Sequence, residues 1–222
     1  MRTIIAFMIC LLSANTMAYE KGTWFIRGGV ANVDPDASSS PLNLDGTDIG
    51  SSSADVDDGT ALSLMFGYML TDNWAIELLA SSPFTHDISA NTGALGLGTV
   101  AAGETSHLPP TLSLQYWFGN PESTWRPYVG AGINYTLFFD EDVDGQLEGV
   151  LGSGDLSLDD SVGLALQAGF DYTLTDSLAL SVGVWWADID TDAEFSFPAN
   201  TLTTDVEIDP LVYSISLSWN FQ

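Results

Sequence analysis

His86 and His107 are the two imidazoles of a 222-residue chain, and either, with a neighbouring serine and aspartate, could act as general base in acyl transfer. Ser106 and His107 are adjacent where a long link meets a strand. Neighbours on a strand point to opposite faces, so the pair is poorly set for a proton relay. A second candidate is Asp140-Glu141-Asp142-Val143-Asp144-Gly145, which has Asp at positions 1, 3 and 5 and Gly at 6, as a calcium loop begins. Position 12 falls on Leu151, where a bidentate Glu is needed, and no flanking helix is expected. The chain has no phosphate-cradling glycine loop, no Cys/His cluster and no basic patch. The expectation is therefore no catalytic residue, no metal site, no cofactor and no nucleic acid partner.

The charge is one-sided, with 30 acidic against 4 basic residues, a net of -26, yet 45% of the chain is apolar and 11% aromatic. Disorder needs a chain poor in apolar residues, so acid and apolar segments must instead be segregated. Asp45, Asp48, Asp55, Asp57 and Asp58 fall in one acidic stretch, Asp140 to Asp160 in another, and Asp188 to Asp209 in a third. Such a rim repels nucleic acid and anionic solutes. It suits a solvated surface or a saline habitat, and divalent cations bridging to lipopolysaccharide phosphates are the sharper alternative.

Between these stretches the period is two. Thr60, Leu62, Leu64, Phe66, Tyr68 and Leu70 alternate with Ala61, Ser63, Met65, Gly67 and Met69. Tyr213, Ile215, Leu217, Trp219 and Phe221 alternate with Ser214, Ser216, Ser218 and Asn220. Similar runs around Trp24–Val30, Trp74–Ala80, Leu112–Phe118, Val129–Tyr135, Val162–Tyr172 and Leu178–Trp186 bring the count to eight. Each is near the roughly 9 to 11 residues that a tilted strand needs to cross a membrane. The bulky face must lie outside, because a small barrel has little interior volume, and an outside this apolar belongs in lipid. A soluble ligand-binding barrel would carry the opposite pattern. Links alternate strictly between short (Thr71–Asn73, Gly119–Trp125, Thr173–Ser177) and long (Asp34–Gly59, Thr85–His107, Phe138–Asp160, Thr191–Glu207). The predicted fold is all-β: an eight-stranded antiparallel transmembrane β-barrel with short periplasmic turns and long extracellular loops.

Residues 1–18 read as a signal peptide: Arg2, an apolar run Ile4 to Leu12, and a small residue at Ala18 before the cut. Residues 19–222 form the barrel. Cys10, the only cysteine, would leave with the signal, so disulfides play no part.

Strand parity also predicts the lumen. Met65, Met69, Leu79, Trp117 and Trp185 face inward, an apolar set suited to a hydrophobic solute or a closed plug. Arg27, Glu77, Gln115, Gln167 and Asp171 share that face lower down, with Arg27 the cation available to pair Glu77 or Asp171. An aqueous pore would instead set charge at its narrowest point. The function expected is a channel in a Gram-negative outer membrane, passing small hydrophobic molecules passively through a narrow apolar lumen. The alternative is a surface anchor, receptor or adhesin acting through acidic loops.

Several stretches resemble the OmpW family of outer-membrane proteins. They are Tyr68-Met69-Leu70-Thr71-Asp72-Asn73, His107-Leu108-Pro109-Pro110-Thr111-Leu112, Arg126 to Tyr135, and Trp185-Trp186-Ala187-Asp188-Ile189-Asp190-Thr191. The resemblance implies a monomeric eight-stranded barrel whose hydrophobic lumen releases apolar molecules sideways into the membrane. It also places Leu79 and Trp185 at the family's apolar constriction. Its implied partners are outer-membrane lipid, lipopolysaccharide and the barrel-assembly machinery. That machinery reads a terminal aromatic; here Gln222 follows Phe221.

Overall fold

A computed structural model describes residues 19–222. The signal peptide expected over 1–18 lies outside the described residues. Eight antiparallel strands make a closed wall: β1 Trp24–Asp34, β2 Gly59–Met69, β3 Trp74–Ser81, β4 Thr111–Trp117, β5 Trp125–Val143, β6 Ser161–Thr175, β7 Leu178–Ala187 and β8 Leu211–Phe221. Each strand pairs with its neighbour in sequence, and β1 closes the circle on β8 from Trp24↔Phe221 to Asp34↔Leu211. Closure leaves no wall strand with an unpaired edge inside the lipid.

The alternation decides which face is which. Along β2 every odd residue from Gly59 to Met69 is buried, while the even ones stay exposed or partly so. Leu62 and Val162 keep 66% and 70% of their surface, which only a hydrocarbon solvent makes stable. At the turn end, outward aromatics pack in pairs: Trp24 on Tyr68 at 4.7 Å, Trp74 on Tyr116 at 5.1 Å and Trp125 on Tyr172 at 4.8 Å. This is an interfacial girdle on the periplasmic side.

The extracellular links hold a second structure, more ordered than loops. Ser53–Val56, Phe84–Asn91 and Thr99–Leu108 extend the sheet that the upper part of β5 continues. Asp155–Leu158, Asp190–Ser196 and Thr201–Glu207 form the body of another. Between them Ile88, Leu147, Leu156, Phe195 and Leu202 build a hydrophobic core above the membrane. One helix, α1 (Gly145–Leu151), packs Leu147 into it and is capped by the Asp144 side chain on the Gln146 N–H at 2.7 Å. No helix flanks the twelve residues that begin like a calcium loop: strand β5 runs into them, α1 occupies their positions 6 to 12 with Asp144 as its N-cap, and strand Asp155–Leu158 follows.

The acid also finds its place in this cap. In Asp190–Ser196, Thr191, Ala193 and Phe195 are buried while Asp190, Asp192 and Glu194 are exposed. The charges are the outer face of a half-buried strand.

Candidate functional site

The β2–β3 hairpin shows the interior in steps. Its inward cross-strand pairs run, from outside to periplasm, Ser63↔Ser81, Met65↔Leu79, Gly67↔Glu77 and Met69↔Ala75. The first two steps border a chamber and the last two belong to a floor.

The lower chamber is small and has Met65, Leu79 and Trp185 in its wall, with small residues such as Ala31 and Ala165 leaving the space. Above the lipid band lies a small upper chamber lined by cap residues including Ile88, Phe138, Ala193, Phe195 and Val206. Val33, His107, Ile189 and Pro210 border both chambers. The two apolar chambers thus adjoin, one in the cap and one at mid-barrel, with these residues as their shared wall.

Both histidines stand in the upper wall. Their rings stack at 4.9 Å, and Phe84 and Phe138 pack on His107 at 5.4 and 5.9 Å. His86 Nδ1 lies 2.6 Å from the Asp57 carbonyl oxygen; a carbonyl only accepts, so this nitrogen carries the hydrogen. Burial pushes the His107 imidazole down to about 3, helped by its neighbour His86. Loss of water also lowers His86, against the opposing pull of the Asp57 carbonyl and nearby carboxylates. Both are therefore neutral rings in an apolar wall. The Ser106 hydroxyl, on the opposite face, bonds Thr85 at 3.0 Å. Ser106 and His107 thus do not form a relay.

The floor is a closed polar and aromatic layer. Arg27, with no exposed surface, reaches Glu77 at 2.5 Å through Nη1 and Asp171 at 3.2 Å through Nη2. Gln115 Nε2 donates to Glu77 at 2.7 Å and to Gln167 at 3.1 Å, and Gln167 donates to Ser113. Beneath lie Phe25, Trp117, Tyr128 and Tyr19. The Tyr19 ring packs on Trp117 at 4.7 Å, and its hydroxyl bonds Asp171 and, at 2.8 Å, Ser218. Arg126 donates to the Tyr19 and Asp72 carbonyls at 3.0 and 2.7 Å. Gly67 is needed here, because a Cβ would meet the Phe25 ring at 1.9 Å.

The wall ladder is interrupted between β3 and β4. The last β3–β4 pair is Leu79↔Thr111, and pairing resumes in the cap at Phe84↔His107. Between them fall Ser82-Pro83 on one side and Leu108-Pro109-Pro110 on the other. Prolines have no N–H to give a ladder. Leu79, Ser81, Phe84, Pro109 and Thr111, which flank this interruption, all line the lower chamber.

Outside the chambers, the carboxylates of Asp188, Asp190 and Asp209 lie within 4.8 Å of one another at the outer end of the wall. Loss of water and then the repulsion of Asp188, Asp209 and Glu207 raise Asp190 above the usual range.

The model of the OmpW family matches residues 20–221. The chain belongs to the OmpW family. It is similar to outer membrane protein W of Vibrio cholerae, with 47% identity over 98% of this chain and 97% of that one. The crystal structure of OprG from Pseudomonas aeruginosa superposes with a TM-score of 0.86 at 41% identity, covering 92% of this chain and 98% of that chain. A more distant relative is the dibenzothiophene metabolism operon protein PahQ of Pseudomonas aeruginosa, 30% identical over 99% of both chains.

Of the five apolar lumen residues expected in this OmpW chain, the structure brings Met65, Leu79 and Trp185 to one chamber. Met69 and Trp117 pack in the floor with Phe25 and Tyr19 and line neither chamber. Arg27, Glu77 and Asp171 come together as one network. Arg27 shares the floor with a second buried cation, Arg126, which the sequence reading left out. The parity signal was present, because Arg126 and Tyr128 continue the inward phase of Gly130 and Gly132. Tyr19 precedes the first strand and has no periodic signal.

Proposed function

We propose that this outer-membrane barrel takes small hydrophobic molecules from outside the cell, through the cap, into the lower chamber and out sideways into the bilayer. The observation that carries the reading is the pair of adjoining apolar chambers stacked above a sealed floor. A solute that reaches Met65 and Leu79 meets the Arg27–Glu77–Asp171 layer next, and stripping it of apolar contacts to cross that layer is unfavourable. The proline interruption beside the same chamber is the softer exit. The name of PahQ, tied to the metabolism of an aromatic sulfur compound, supports hydrophobic solutes for this fold. Catalysis has no part in the reading, since both histidines are neutral wall elements and Ser106 faces away. We further infer that the barrel acts as a monomer among outer-membrane lipid and lipopolysaccharide, and that the assembly machinery reads Phe221.

The test is uptake of a medium-chain alkane or an aromatic hydrocarbon by cells or liposomes. The intact barrel is compared with a Leu79→Arg, Trp185→Arg double variant shown to fold. Faster uptake with the intact barrel, lost in the variant, is the expected result. Equal uptake by intact barrel and empty membrane overturns the conduit. A second reading, a receptor or adhesin, is favoured by the outward acid of Asp190, Asp192 and Glu194. The inner faces of the same strands line the upper chamber, so removing them would remove the conduit too.

A further inference from the structure

The lower chamber is not uniformly apolar. Ser63 Oγ, Ser81 Oγ and Trp185 Nε1 are buried side-chain polar atoms with no protein partner, and all three residues line it. Their neighbours are satisfied: Asn134 donates to Thr111 at 3.0 Å and accepts from Thr136 at 2.7 Å. Thr111 Oγ1 in turn donates to the Pro109 carbonyl at 3.1 Å. Polar demand is therefore concentrated at the serine pair, which faces across the β2–β3 ladder, and at the indole opposite.

Buried polar groups ordinarily find partners, and an unsatisfied one is costly. Hydroxyls can donate or accept, whereas an indole N–H only donates. All three can therefore serve an acceptor oxygen. Among the described residues no cation stands ready for an anion in either chamber: Arg27 and Arg126 are engaged in the floor, and Lys21 lies by the Asp72 turn. The acidic cap repels anions as well.

We propose that the lower chamber is a binding subsite for a neutral oxygen, so that the barrel prefers apolar molecules ending in an alcohol or carbonyl over bare hydrocarbons and over carboxylates. The body of such a molecule occupies apolar wall such as Met65 and Leu79. Its oxygen meets Ser63 and Ser81, or Trp185. This rests on the conduit reading and narrows its substrate class.

The experiment uses the barrel in lipid nanodiscs, with octane, 1-octanol and octanoate as probes. Retention is measured by equilibrium dialysis and corrected by empty discs. One satisfied buried donor is worth roughly ten-fold in affinity. The expected octanol-to-octane affinity ratio is therefore about ten, with octanoate the weakest of the three. In Ser63→Ala, Ser81→Ala and in Trp185→Phe, each verified as folded by heat-modifiable gel mobility, the ratio falls toward one. A ratio near one in the intact barrel, with octane still bound, overturns the oxygen subsite and leaves the conduit standing. A ratio unchanged in both variants, or octanoate binding as well as octanol, also overturns it. Retention of neither neutral probe above empty discs overturns the conduit and the subsite together.

Discussion

Removing the Arg27 guanidinium is the sharpest test of what holds the floor. Arg27→Met keeps the length and apolar stem of the side chain but leaves Glu77 and Asp171, each 1% exposed, without their shared cation. Breaking a buried pair by deleting one partner costs about 3 to 5 kcal/mol. Two carboxylates lose their ion here, yet Glu77 keeps the Gln115 amide and Asp171 keeps the Tyr19 hydroxyl, so the expected loss stays in that range. With a urea dependence of about 1 to 3 kcal/mol per molar, the midpoint should fall by about 2 M. The assay is urea unfolding of the barrel in lipid vesicles, followed by tryptophan fluorescence, since Trp117 lies 5.1 Å from the guanidinium carbon. Adding Glu77→Gln and Asp171→Asn to Arg27→Met should recover most of the loss, because no uncompensated charge remains. A midpoint shift below about 0.5 M for Arg27→Met would refute the argument, since so small a change means that the carboxylates find water or another partner without strain.

Protonating His107 must break an apolar stack. Its folded value, about 3, lies below the ordinary 6.5, so the unfolded chain takes up the proton first as pH falls. Stability conferred by the neutral ring is complete above pH 6.5 and declines by about 1.4 kcal/mol per unit toward pH 3. In His107→Phe the difference in stability between pH 7 and pH 4 should shrink accordingly; an unchanged pH slope speaks against a buried neutral imidazole. Tyr19→Ala should loosen the floor and raise ion conductance in planar bilayers, whereas Tyr19→Phe should cost about 1 kcal/mol with conductance unchanged. Equal conductance for Tyr19→Ala and the parent would show that Tyr19 does not seal the barrel. Neutralising the outer acidic face (Asp190→Asn, Asp192→Asn, Glu194→Gln) should leave apolar uptake intact, and loss of uptake would assign those charges to the conduit.

The wall was legible in the sequence because lipid outside and small side chains inside impose the same alternation on every strand. Leu62, Leu64 and Phe66 could face nothing but hydrocarbon, and Met65 and Leu79 then had to face the lumen. The cap was harder to see. In Asp190–Ser196 the same alternation pairs Thr191, Ala193 and Phe195 with acid, and so much acid reads as solvated loop unless its partner face is recognised as core. The floor escaped in part for another reason. Parity says that Trp117 points inward but not at what depth, and depth separates a chamber wall from a plug. Tyr19 joins that plug through contacts to Asp171 and Trp117, nearly a hundred or more residues away, which no local pattern encodes.

The pairing of β1 with β8 along their full length makes that contact equivalent to any other in the wall. The start of β1 and the end of β8 meet at the periplasmic rim, with Trp24 opposite Phe221, so joining them by a short linker and cutting the Gly119–Ser123 turn would preserve every ladder. Such a circular permutant should refold unaided in vitro to the same barrel. In the cell it would carry its aromatic finishing strand in the interior of the sequence. Comparing the two settings would separate what the wall needs in order to close from what the cell needs in order to find its last strand.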